Sequence, residues 1–263
     1  MSMKGTQSRT KTNEIVEGPL LITPEFYKDN RGYFYEFWNK DEFNKLISKE
    51  VFFVQDNISF SKKGVLRGLH YQINPYSQSK LISCKKGSIF DVAIDLRKNS
   101  NTFGKYCFEY LNEENKNQFW IPSGFAHGFI ALSDNTEVHY KVEGLRNVQY
   151  ERSLKWDDAD LDIEWPTLKN KISQVILSDK DSCASSFKEA FKLIMVPNIE
   201  GIIDFIISCN VSDNANINKF KLELNTFMDK NGINFVYDII NKYGYNFLLN
   251  KQNISLLGSN YIR

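Results

Sequence analysis

Ten short runs of apolar or alternating residues follow one another through the first 142 positions, each ended by turn residues. They occupy residues 20–23, 33–38, 51–58, 65–72, 81–85, 89–96, 106–111, 119–121, 125–132 and 139–142. Only one helical pattern, around 41–47, interrupts them. Strands this short and this closely spaced predict a sandwich or barrel, so the fold class is mainly β. The chemistry a mainly β scaffold performs then depends on which side chains its strands point inward.

The two ends of the chain read differently. Residues 1–13 are polar and carry no apolar anchor, so they are expected to form a disordered leader, with the fold starting near Glu14. From Ser185 a helical stripe of Phe187, Ala190, Phe191 and Ile194 appears. A second stripe, Ile217, Phe220, Leu224, Phe227 and Met228, stops at Asn231-Gly232, and a third, 235–243, stops at Gly244. These patterns predict a domain over 14–194 and a small, mainly helical segment over 195–263 that carries no chemical motif.

The formal net charge of +1 gives no extended field of one sign, which argues against nucleic acid or an anionic membrane as partner. No apolar run reaches the length of a membrane span, and the first residues contain no apolar core of a secretory signal. Cys84, Cys107, Cys183 and Cys209 form no Cys-x-x-Cys pair, so they read as free thiols and the compartment as cytoplasm.

Two stretches concentrate the candidate chemistry: Gly64-Val-Leu-Arg67-Gly-Leu-His70-Tyr-Gln72 and Trp120-Ile-Pro-Ser-Gly-Phe-Ala-His127-Gly-Phe129. Each ends a strand-like run with one histidine beside glycines, where a side chain can be aimed into a cavity. The spacing is of the kind found on neighbouring strands of a cupin-type jelly roll, a double-stranded β-helix. Metal-binding cupins add a second histidine two residues after the first, and Gln72 stands there instead. His139 precedes Tyr140 on a strand, so the two point to opposite faces and a three-nitrogen metal site is not expected. Without metal, a histidine can still take and return a proton near neutral pH. Asp91, among apolar neighbours in residues 89–95, needs an internal partner, since an unpaired buried carboxylate is costly.

Six motifs taken in order resemble one family. Arg67-Gly-Leu-His70-Tyr-Gln72, Phe90-Asp91-Val-Ala-Ile-Asp95-Leu-Arg97, Ile121-Pro-Ser-Gly-Phe-Ala-His127, Tyr140-Lys141, Glu164-Trp165-Pro166 and Leu177-Ser-Asp-Lys180-Asp181 are similar to the dTDP-4-dehydrorhamnose 3,5-epimerases over about residues 14–190. The resemblance implies a metal-free, cofactor-free cupin, usually a homodimer, acting on a nucleotide-linked 4-keto-6-deoxy sugar. It implies His70 as base oriented by Asp181, Lys80 beside the developing oxyanion and Tyr140 as the acid on the opposite face. Asp91 with His127 resembles a supporting dyad, for which a purely structural pairing is the competing reading. Arg67 and Lys180 resemble diphosphate contacts, and Gln55 and Asn57 match the polar lining. Arg31, Phe34 and Glu36 match a strand that enters the partner subunit's site.

One departure follows Tyr140-Lys141. Where the family has an aromatic pair, one member of which stacks on the base, this chain reads Glu143-Gly-Leu145-Arg146-Asn147. A planar guanidinium can lie on a base, so Arg146 is the substitute candidate and the identity of the base stays open. Two other functions stay open beside the double epimerase: a C3-only epimerase or ketoisomerase, and a non-catalytic cupin that binds sugar nucleotides.

Overall fold

The structure is a computed structural model that describes residues 3–191 apart from 168, 169 and 171. The chain divides into two units, Met1–Ala190 and Phe191–Arg263. A short helix, Phe187–Ala190, covers the start of the first expected stripe. The later helical patterns and the segment 195–263 lie outside the described residues.

The first unit is mainly β, as the strand spacing predicts, and its architecture is the cupin-type jelly roll of two antiparallel sheets. Numbered in chain order, the larger sheet runs β1 (Met3–Arg9), β2 (Ile15–Pro24), β10 (Gln118–Ile121), β7 (Lys80–Lys86), β12 (Thr136–Glu143) and β5 (Phe53–Ser61). The smaller runs β13 (Glu151–Ser153), β6 (Leu66–Gln72), β11 (Phe125–Ala131), β8 (Ser88–Asp95) and β9 (Tyr106–Asn112). Strands β3 (Tyr27–Asp29) and β4 (Gly32–Phe34) form a separate hairpin.

Alternation explains where the core sits. Ile82, Cys84, Phe119 and Val138 from the larger sheet join Ile89, Ala93, Cys107, Leu111 and Phe129 from the smaller in one buried cluster. Each large side chain among them, such as Ile82, Leu111 or Phe119, contributes on the order of 1.5–3 kcal/mol when removed from water, which welds the two sheets face to face. Strand β5 inverts the usual pattern at the sheet edge. Its Val54, Ile58 and Phe60 are exposed, Ile58 by 71%, while Ser61 is buried.

The disordered leader is corrected by the structure: β1 pairs along β2 from Met3 opposite Pro24 to Arg9 opposite Ile15. Main-chain pairing holds this polar strand, and only Met3 and Ser8 of it are buried, which left no apolar alternation to read. Met3 packs with Phe43 and Trp120, and Ser8 Oγ donates to Glu109 at 2.6 Å. The expected strand at 33–38 is shorter than the pattern suggested, ending at Phe34. Helix α1 (Lys40–Ile47) forms as its sequence dictates. Asn39 caps the amides of Asp41 and Glu42, two acids fill the first turn, and Phe43 is buried.

Candidate active site

The two histidines face each other because of one extra residue. His127 lies opposite His70, and Phe129 opposite Arg67, so the step from Arg67 to His70 on β6 spans only two positions of β11. In a regular strand, residues three apart point to opposite faces. The bulge restores the phase, and Arg67 and His70 line the same cavity. Gly68 sits within it at φ +127°, where an added Cβ would lie 2.5 Å from the Gly128 Cα. The glycines of both sequence stretches are thus what lets the strands approach closely enough for the histidines to meet.

His70 Nε2 is 2.6 Å from Asp181 Oδ1. Asp181 arrives on α2 (Asp179–Ser182), whose cap is Ser178, with its Oγ accepting from the Asp181 amide at 3.2 Å. Burial by itself would raise the Asp181 carboxyl, but hydrogen bonds from His70, Ser178 and the Gly68 amide, with the His70 charge, bring it below the usual range. An ionised Asp181 accepts the Nε2 proton of His70. Nδ1 is then the basic atom of the ring.

Behind this pair, His127 Nε2 is 2.6 Å from Asp91 Oδ1, and Asp91 is fully buried on β8. Burial lowers the His127 pKa more than the Asp91 charge raises it, so the ring is neutral near pH 7 and donates to Asp91. Asp91 therefore has the internal partner its apolar neighbours required.

The larger sheet supplies the facing groups. Tyr140 on β12 is opposite Ile82, and Val142 is opposite Lys80 at the start of β7, so Lys80 and Tyr140 share the inward face. Desolvation brings the Lys80 ammonium down to about 8; Lys180 pushes the same way and the charges of Asp91 and Glu151 resist. The Tyr140 phenol is raised by burial, against Arg67 and Arg146, and keeps its proton at neutral pH. Arg67, His70, Lys80, His127, Tyr140, Lys180 and Asp181 together line a cavity of about 240 Å³. A base with its orienting carboxylate, a cation and a protonated phenol thus surround one small space, the set that moving a proton next to a carbonyl demands.

Other candidates stand away from that cavity lining. Arg31 is at the tip of the β3–β4 hairpin, its side chain 86% exposed and paired with Asp29 at 2.6 Å. Phe34 on the same hairpin is exposed, and Glu36 accepts from Asn39 Nδ2 at 3.3 Å. Gln55 donates to Asn57 at 2.8 Å along β5. Arg146 is committed to a carboxylate, with Nε and a terminal nitrogen on Glu151 Oε2 at 3.0 and 2.5 Å. His139 turns away from Tyr140 to the outer face, as expected, but is tucked against Phe37 with Nε2 3.0 Å from Asp56. Among the described residues, no three His, Cys, Asp or Glu side chains gather as a metal-binding group.

Two contributors carried weaker signals. Glu151, at the start of β13, bridges Arg146 and Lys180, the latter at 2.7 Å from Oε1, and as one acid in a mixed-charge stretch it had nothing to single it out. Ser178 carries a sequence signal of its own, since Ser-x-x-Asp is a capping pattern that marks a helix start.

Comparison with known proteins points to one family. The family description dTDP-4-dehydrorhamnose 3,5-epimerase matches residues 13–189. A dTDP-4-dehydrorhamnose 3,5-epimerase of Shigella flexneri is 47% identical over 171 residues, covering 65% of this chain and 92% of that one. The crystal structure of the enzyme of that name from Elizabethkingia anophelis superposes with a TM-score of 0.65 at 44% identity, covering 72% of this chain and 98% of that one. A Legionella pneumophila dTDP-6-deoxy-D-glucose-3,5-epimerase in complex with dTDP-4-keto-L-rhamnose gives a TM-score of 0.63 at 39% identity, over 76% of this chain and 96% of that one. With the matching region spanning nearly all of the described fold, the chain belongs to the dTDP-4-dehydrorhamnose 3,5-epimerase family.

Proposed function

We propose that this chain epimerises a nucleoside-diphosphate 4-keto-6-deoxyhexose of the dTDP-4-dehydro-6-deoxyglucose type, inverting C3 and C5. The observation that carries this reading is the meeting of the His70–Asp181 pair, Lys80 and Tyr140 around one cavity. The C4 ketone acidifies the protons on C3 and C5. His70 Nδ1 takes one of them, and the electron pair moves onto the C4 oxygen as an enolate. Lys80 supplies a fixed charge to that oxygen, in a site where water competes weakly. Tyr140 returns a proton to the opposite face, and the configuration inverts. Arg67 and Lys180 hold the diphosphate, with Arg146 set by Glu151 at the base end. Asp91 holds the neutral His127 ring behind the base.

In this reading the enzyme is a homodimer. The β3–β4 hairpin carries Arg31 and Phe34, with Glu36 just beyond it, outside the lining of their own cavity, and β5 presents Val54, Ile58 and Phe60 outward along a sheet edge. A second copy would cover that apolar edge and receive the hairpin, placing Gln55 and Asn57 nearby. The working compartment is the cytoplasm, in keeping with the free thiols of Cys84 and Cys107. Among the described residues, no helix is long and apolar enough to cross a membrane.

The direct test incubates the protein with dTDP-, UDP-, GDP- and CDP-linked 4-keto-6-deoxy sugars in D2O and follows the products by NMR. Deuterium at both C3 and C5 of the dTDP sugar is the expected result. Label at C3 alone would make it a mono-epimerase, and no exchange with any sugar, despite binding, would leave a binding cupin.

Two further outcomes follow from the assignments. Tyr140→Phe is expected to slow inversion about 10²-fold while exchange on the base side falls far less, because His70 can still remove and return the proton. Equal loss of both would make Tyr140 a residue that orients the sugar. A chain ending at Lys192 is expected to retain exchange at both carbons, because every assigned residue lies at or before Asp181. Circular dichroism scores its folding separately, and a folded, dimeric but inactive protein would give residues 193–263 a part in the site.

A further inference from the structure

Strand β5 carries one hydroxyl that none of the roles above uses. Ser59 lines the active-site cavity, yet its Oγ is buried and has no hydrogen-bond partner. Buried hydroxyls in folded proteins are nearly always paired, so one left unpaired at a binding cavity asks for a partner from outside the chain. The neighbours restrict what that partner can be. Two residues along the strand, Ser61 Oγ accepts from Arg67 Nε at 3.1 Å, and a terminal nitrogen of Arg67 donates to the Phe60 carbonyl at 3.0 Å. Arg67 is thereby clamped along the same stretch of β5, and both it and Ser59 line the cavity. A guanidinium has no lone pair to offer, so it cannot satisfy the hydroxyl proton of Ser59. What satisfies both is an anionic oxygen that takes charge-assisted bonds from Arg67 and an O–H bond from Ser59.

Resting on the epimerase reading, we propose that Ser59 donates its hydroxyl to a phosphate oxygen of the bound nucleotide sugar, beside Arg67. Lys180 lines the same cavity and adds a second positive charge for that group. Rotation about one side-chain bond is enough to present the buried hydroxyl to the cavity that Ser59 lines.

Calorimetric titration with dTDP tests this on the full chain, comparing wild type, Ser59→Ala and Ser59→Thr, with thermal melts of the ligand-free proteins alongside. The alanine variant is expected to bind dTDP about tenfold more weakly. The threonine variant keeps the hydroxyl and most of the affinity. The ligand-free Tm of Ser59→Ala should be unchanged or higher, since removing an unpaired buried hydroxyl costs the fold nothing. Wild-type affinity in Ser59→Ala would overturn the proposal, and so would a weakening accompanied by a fall in the ligand-free Tm, which would make Ser59 a packing residue. If the wild type itself binds no dTDP, the epimerase reading fails first and this proposal falls with it.

Discussion

His70→Ala is expected to lower proton exchange at C3 and C5 by about 10²–10⁴-fold, the contribution of a positioned general base. Affinity for dTDP should hardly change, because in the proposed reading His70 meets the sugar while Arg67 and Lys180 meet the phosphates. The pairing also predicts an order of severity. Asp181→Asn preserves the shape but replaces an ionised acceptor with an amide, so Nε2–H loses its charged partner and the ring its fixed tautomer. Asp181→Asn should therefore fall between wild type and His70→Ala. NMR of exchange in D2O with calorimetry of dTDP checks all three, and a His70→Ala protein that still takes deuterium at C3 at the wild-type rate would sink the assignment.

Lys80→Met is expected to cost about 10²–10³-fold in kcat, the usual loss when one group stabilising a developing oxyanion is removed. Methionine keeps the length and apolar stem of lysine, so packing at the start of β7 is disturbed little. A pH profile separates charge from shape. The Lys80 ammonium sits near 8 because burial disfavours the charged form, and only that form helps the enolate. With that value, about nine in ten side chains are protonated at pH 7 and about one in ten at pH 9. Activity should therefore fall as pH rises through about 8, and the fall should vanish in Lys80→Met along with most of the rate. A wild-type profile flat from pH 7 to 9.5 would show that the charge on Lys80 is not used.

The strands of the two-sheet core between β2 and β12 were legible because a face packed against another sheet must be apolar on one side and not on the other. Ile82 and Cys84 are readable for that reason. The helical pattern around 41–47 likewise pointed to α1, and the structure adds the Asn39 cap and the two acids of its first turn. The motif order also pointed to His70, Lys80, His127, Tyr140 and Asp181, which the fold brings to one cavity.

What remained outside reach of the linear chain has a common physical origin: it depends on partners distant in sequence. Strand β1 is held by backbone bonds to β2, which any polar sequence can make, so nothing in residues 3–9 distinguished it from a loose end. Glu151 acquires its place only because Lys180 and Arg146 come to it from elsewhere in the fold. The shared face of Arg67 and His70 is set by the register between β6 and β11, where one extra residue reverses the alternation. Residue types and their spacing thus determined the layered β architecture and the kinds of chemistry available, because patterning and side-chain type are already present in the linear chain. Register, ion pairing and the depressed pKa of Lys80 were decided by the tertiary structure alone, since each is an effect of neighbours that only folding brings within a few ångströms.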